Sequence, residues 1–154
     1  MNNKSIDAIA FQLEKLLSEY TSFSKMSEAF DIPAGTLKSW ISKHRSPKLD
    51  SLDYLANKIG CYSYELLTYE ILSKKQIHNN DSRSSFVRNL NKIFIENYCH
   101  TQLQKYKLLS NVISNDTLIS YLRNENYRKP TLEVLDKIAN ELNIKTFMLI
   151  KEDA

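Results

Sequence analysis

The sequence predicts an all-α chain made of two copies of one helical unit, and three observations carry that reading. Glycine is nearly absent: Gly35 and Gly60 are the only two in 154 residues, and there are three prolines, which removes the means for most hairpins and phosphate-cradling loops. Apolar residues recur at steps of three and four, the period of one buried helix face, through Ile6, Ile9, Leu13, Leu16, Leu17 and Tyr20, and again through Phe86, Leu90, Ile93 and Phe94. The chain also repeats itself, since TLKSW at 36–40 returns as TLISY at 117–121, each followed by a proline, Pro47 or Pro130.

The first apolar face defines a helix over about residues 5–21, and the second a helix from an N-cap at Ser82 to about Tyr98. Downstream the copies keep register. Ile32, Leu37, Trp40 and Ile41 correspond to Ile113, Leu118, Tyr121 and Leu122 at an offset of 81. After the prolines the offset is 83, pairing Leu49, Leu52, Leu55, Ala56 and Ile59 with Leu132, Leu135, Ile138, Ala139 and Leu142, then Tyr64, Leu66 and Leu67 with Phe147, Leu149 and Ile150. Between the first helices it is only 77, so the second copy holds about four extra residues, placed around YCHTQLQKYKLL. There Thr101 reads as an N-cap, and the helix after it is expected to be longer or entered differently. The polar, turn-rich SKKQIHNNDSRSS reads as a spacer, giving units 1–73 and 86–154 around a linker at 74–85, with five helical segments in each unit.

Composition is that of an ordinary globular protein, 42% hydrophobic and 25% charged, and the net charge of +3 tolerates polyanions without demanding them. Asp7, Gln12 and Glu14 interrupt the apolar N-terminal stretch, so neither a signal peptide nor a membrane span is expected and the location is read as cytoplasmic. Cys61 and Cys99 lie far apart and read as packed thiols, Cys61 matching Ile144 of the second copy. His44, His78 and His100 are scattered without zinc-site spacing, and no Gly-x-Ser-x-Gly occurs. The chain is therefore expected to be no enzyme and to use no metal or cofactor. Trp40 and Tyr121, on the apolar stripe, read as core residues rather than base-stacking platforms.

The stretch MSEAFDIPAGTLKSWISKHRSPKLDSLDYLANKIGCYSYELL, 26–67, resembles the λ-repressor-like helix-turn-helix family of the Xre/Cro type. The likeness rests on Met26 and Ser27 opening a short helix, Ile32 at the turn, Thr36, Leu37 and Trp40 on the next helix, and a proline before a leucine-rich helix, with the last helix starting after a Ser63 cap. In the second copy the same pattern is clear from Thr117 onward. The fold this resemblance implies is two tandem λ-repressor-like five-helix domains joined by a short polar linker. One departure follows the aromatic, where Asn124 suits a left-handed helix end and Lys43 adopts it less easily, so the first recognition helix is expected to run on a little further.

In such a family the second helix of the motif enters the major groove of double-stranded DNA. By position the resemblance assigns base reading to Ala34, Gly35, Lys38 and Ser39, and to Asn115, Asp116, Ile119 and Ser120 in the second copy. Only Lys38, suited to guanine, and Asn115, suited to adenine, are strong base readers. Phosphate contacts fall to Thr36, Lys43, His44, Arg45 and Lys48, and to Thr117, Arg123, Arg128 and Lys129. The implied function is a sequence-specific transcriptional regulator, a repressor, whose unlike copies read an asymmetric two-part operator with half-sites about 34 Å apart. Homodimerisation would lengthen the site. The weak base-reading set and Asp116 keep an alternative open, in which the fold serves protein binding. Anti-CRISPR inhibitors and anti-repressors of mobile elements resemble it in size, and there the second copy would hold the protein partner. The richness in Asn, Lys, Ile and Tyr suits a low-GC bacterium or its phage or plasmid.

Overall fold

The computed structural model describes residues 2–74 and 79–152, so Lys75, Gln76, Ile77 and His78 of the expected linker lie outside the described residues. Among the described residues the chain is all-helical, without strands. The first copy comprises α1 (Ser5–Tyr20), α2 (Phe23–Phe30), α3 (Ala34–Ile41), α4 (Leu49–Ile59) and a 3-10 helix (Ser63–Leu67). The second comprises α5 (Ser82–Glu96), α6 (Gln102–Leu109), α7 (Asn115–Leu122), α8 (Leu132–Glu141) and α9 (Phe147–Ile150). Five segments per copy appear as expected. Most of the repeated apolar positions are buried: Leu37, Leu52, Leu55 and Ala56 fully, as are Leu118, Leu135, Ile138 and Ala139, while Ile41, Ile59 and Tyr64 and their matches Leu122, Leu142 and Phe147 are half-buried. Trp40 and Tyr121 are core residues, 6% and 4% exposed.

Local chemistry corrects several expected ends. Asp81, not Ser82, is the N-cap of α5, accepting from the Ser84 backbone N–H at 3.0 Å, so the helix starts inside the expected linker. Tyr62 rather than Ser63 caps the 3-10 helix, its N–H donating to Glu65 Oε2 at 2.6 Å. Thr101 caps α6, as expected, and Gln104 closes a capping box with it. That helix is eight residues long, the same as α2, so the extra residues lie in the connections on either side of it and not within it.

The helix after the turn does not run on in the first copy either: α3 and α7 each have eight residues. Lys43 adopts the left-handed conformation, φ 65°, while in the second copy the left-handed residue is Asn126 and not Asn124. A left-handed non-glycine residue costs roughly 1 kcal/mol. At Lys43 that cost is offset by two bonds that close the helix end, Lys43 N to Trp40 O and His44 N to Ser39 O.

The two copies pack directly against each other. The 3-10 helix packs on α9, α1 on α8 and α4 on α5, and buried side chains of both copies join one core. Two sets of polar contacts between the copies mirror each other. Ser5 donates from its backbone N–H to Asp136 Oδ2 at 2.9 Å and from its hydroxyl to Oδ1 at 2.6 Å, with Thr146 Oγ1 donating to the same Oδ1 at 2.7 Å. In the other half Ser82 makes the same pair of bonds to Asp53 at 3.1 and 2.5 Å, and Ser63 Oγ joins at 2.7 Å. Asn3 Nδ2 donates to Asn140 Oδ1 and to Ile144 O, while Asn80 Nδ2 donates to Asn57 Oδ1 and to Cys61 O. Residue i meeting j while the equivalent of j meets the equivalent of i is the signature of an isologous contact, here made within one chain. Tyr64 and Phe147, which correspond across the repeat, face each other at 6.3 Å.

The thiol of Cys61 is completely buried. Burial first, and the charge of Glu65 second, push it up to about 12. In a Cys99→Ser background, alkylation of Cys61 at about pH 8 is therefore expected to proceed no faster than global unfolding, measured in parallel by hydrogen exchange. Rapid labelling of the native protein would contradict the packing described.

Candidate nucleic-acid interface

Leu37 and Trp40 anchor α3 in the core, which fixes what its other face shows to solvent. Pro33 precedes the helix, and its carbonyl accepts from Thr36 N and Leu37 N. Gly35 is exposed, and a Cβ there would meet nothing within 4 Å, so the fold does not require glycine; the bare backbone leaves room for close approach. Lys38 is exposed with its ammonium 5.3 Å from the Phe23 ring, while Ala34 and Ser39 are half-buried beside it. Beyond the helix, Lys43, His44, Arg45 and Lys48 are all exposed. Lys43 pairs with Asp7 at 3.0 Å, but both side chains are wet, and such a pair contributes at most about 1 kcal/mol. Arg45 and Lys48 make no ion pair among the described residues. The first copy thus presents Gly35 and Lys38 on a helix face, with a cationic run immediately after it.

The second copy differs. Asn115 is half-buried and its Oδ1 accepts from Gln102 Nε2 at 3.0 Å, so its side chain is already engaged. Asp116 and Ile119 are exposed, but Ser120 is 5% exposed and its hydroxyl accepts from Arg128 N at 3.2 Å. Ser120 therefore belongs to the interior and does not face a ligand; its hydroxyl ties down the loop after α7. Thr117 Oγ1 is bonded to the Ser114 hydroxyl at 2.9 Å. Arg123 and Arg128 are exposed, and Lys129 pairs with Asp50 of the first copy at 2.5 Å, a hydrogen bond that holds the ammonium pKa above its usual range.

One residue of this site carried no repeat signal. Arg83 of α5 donates to Tyr121 O at 2.9 Å and to Arg123 O, and its guanidinium stacks 3.5 Å from the Tyr127 ring centroid. It closes the end of α7 as the Lys43 turn closes α3. Its counterpart in the first copy is Ile6, so no match in the repeat could have marked it.

Among the described residues no group of three or more His, Cys, Asp or Glu side chains could hold a metal ion, and no helix is long and apolar enough to cross a membrane. No family model, curated protein or solved structure matches the chain.

Proposed function

We propose that the chain is a sequence-specific double-stranded DNA-binding regulator of the λ-repressor-like helix-turn-helix class, acting as a repressor, with both units supplied by one polypeptide. The observation that carries this reading is the exposed face of α3, Gly35 and Lys38, leading directly into exposed His44, Arg45 and Lys48. A docked helix would place Lys38 at base edges and the following cations at phosphates. The reciprocal contacts support the rest: surfaces that separate subunits would use to dimerise are joined within the chain, so a single molecule holds two unlike recognition helices in fixed relation. The operator should accordingly be asymmetric, with the half read by α3 contributing most of the affinity.

Selection from random duplex DNA tests this. The expected outcome is a two-part site whose affinity falls steeply with salt, one half sensitive to Lys38→Ala and the other only weakly sensitive to Asn115→Ala. Failure to enrich any sequence would sink the reading. A single enriched half, indifferent to every change in α7, would instead favour protein binding by the second copy, a reading that the engaged Asn115, the acidic Asp116 and the buried Ser120 support.

A further inference from the structure

The repeat provides an internal control for the surface of the second copy. After α1, the left-handed residue is Thr21, φ 70°; after α5 it is Tyr98, φ 58°. Ile95 stands where the first copy has Ser18, and Leu103 where it has Ser24. The fold therefore accepts Ser, Thr and Ser at these places, yet the second copy has Ile95, Tyr98 and Leu103, exposed by 67%, 79% and 60%. Large apolar side chains left in water, where polar ones serve the fold equally well, mark a contact surface.

Ile95 also lines a cavity of about 350 Å³. It opens because Lys105 occupies the place of Met26, which is fully buried in the first copy. The Lys105 ammonium sits 5.7 Å from the Phe94 ring and does not fill the space between helices. Leu109 is the one residue that α6 buries among the described residues, and α6 packs less closely on α5 than α2 does on α1. Phe94, Ile95 and Cys99 make the apolar floor, and His100 and Lys105 stand at its edge. Between positions 91 and 109 the charges are Lys92, Lys105 and Lys107 against Glu96 alone.

We propose that this α5–α6 groove docks an acidic segment of a protein partner that inserts a large apolar side chain between the two helices. Lys105, which lines the groove, with Lys92 exposed on α5 beside it, favours acidic residues flanking the anchor, and Ile95, also in the lining, offers the anchor an apolar wall. A second copy of the chain fits less well, since a two-fold contact through this face would bring the Lys105 edges of two grooves together with no acidic lining side chain to pair them. DNA fits poorly as well, because phosphates offer nothing to three exposed apolar side chains.

The experiment is a selection of displayed random peptides of about sixteen residues on the full chain, with affinities compared between wild type and the Ile95→Ser/Tyr98→Thr/Leu103→Ser variant. That variant installs the residues the first copy already carries, and an unchanged unfolding midpoint verifies that it folds. Enriched peptides with a large apolar residue flanked by Asp or Glu, bound roughly tenfold or more weakly by the variant, are the expected result. No enrichment, basic consensus peptides, or equal binding by the variant would overturn the proposal. So would self-association of the wild type, seen in sedimentation and lost in the variant, because it would assign the surface to a second copy.

Discussion

Replacing Asp53 and Asp136 together by alanine is expected to lower stability by about 3–5 kcal/mol and to loosen the two copies from each other. Each carboxylate accepts three bonds: Ser82 N, Ser82 Oγ and Ser63 Oγ at Asp53, and Ser5 N, Ser5 Oγ and Thr146 Oγ1 at Asp136. Ser5, Ser63, Ser82 and Thr146 are all buried, so removing the acceptor leaves donors without water to replace it, at roughly 1–3 kcal/mol per site. Each aspartate also accepts from the first backbone N–H of a helix of the other copy, a donor with no partner inside its own helix. The two sites share no partner, so the losses should add. Urea unfolding monitored by far-UV circular dichroism measures the sum, and a double variant that loses less than about 1 kcal/mol would show that apolar contacts alone join the copies.

The same site has a pH signature. Burial pushes the Asp53 carboxyl above its ordinary value of 3.8, against the Ser63 and Ser82 donors that pull it down. The folded chain thus holds this proton more tightly than the unfolded chain. Its contribution is fully present below 3.8 and is lost as pH rises through the folded value. Asp53→Asn should flatten that decline while keeping one acceptor oxygen.

Lys38→Ala combined with Arg45→Ala is expected to weaken binding to the selected operator by roughly 100-fold at moderate salt, at nearly unchanged stability. Lys38 is the one exposed side chain on α3 able to donate to a guanine edge, a contact worth about 1–3 kcal/mol. Arg45 is exposed and unpaired by any carboxylate among the described residues, so it is available to a phosphate without first breaking a bond. Its loss should lower the slope of log affinity against log salt by about 1. The matching change in the second copy, Asn115→Ala with Arg128→Ala, should cost less than about tenfold, because Asn115 must first give up Gln102. Equal effects in both copies would contradict the asymmetry described here.

The all-helical fold and the buried face of each helix were legible because the apolar residues repeat. The match of Leu37 with Leu118 and Leu55 with Ile138 reports core packing, and core packing is what both copies must share. The joining of the copies was legible as well but was not read from the apolar positions. Asn3 and Asn80, Asp53 and Asp136, and Asn57 and Asn140 are identical residues at the same offsets of 77 and 83. Polar identity between copies whose surfaces otherwise differ is the signal of a shared polar interface. Helix ends were less legible, because they depend on which hydrogen bonds close. Lys43 turns left-handed because the bonds to Trp40 and Ser39 outweigh the strain, and residue type alone does not reveal that. Ser120 was assigned outward from its match to Ser39, yet a longer loop after α7 folds back and seals it. Arg83 has the unlike Ile6 as its counterpart and could emerge only from the structure.

Hydroxyl-radical footprinting of the selected operator, at a protein-to-DNA ratio established by sedimentation, tests the central claim most directly. One chain per duplex, protecting two patches about one helical turn apart on the same face, with the patch beneath α3 the stronger, is the expected result. A single patch, a requirement for two chains per operator, or uniform protection independent of sequence would contradict the account of one polypeptide carrying two unequal reading heads.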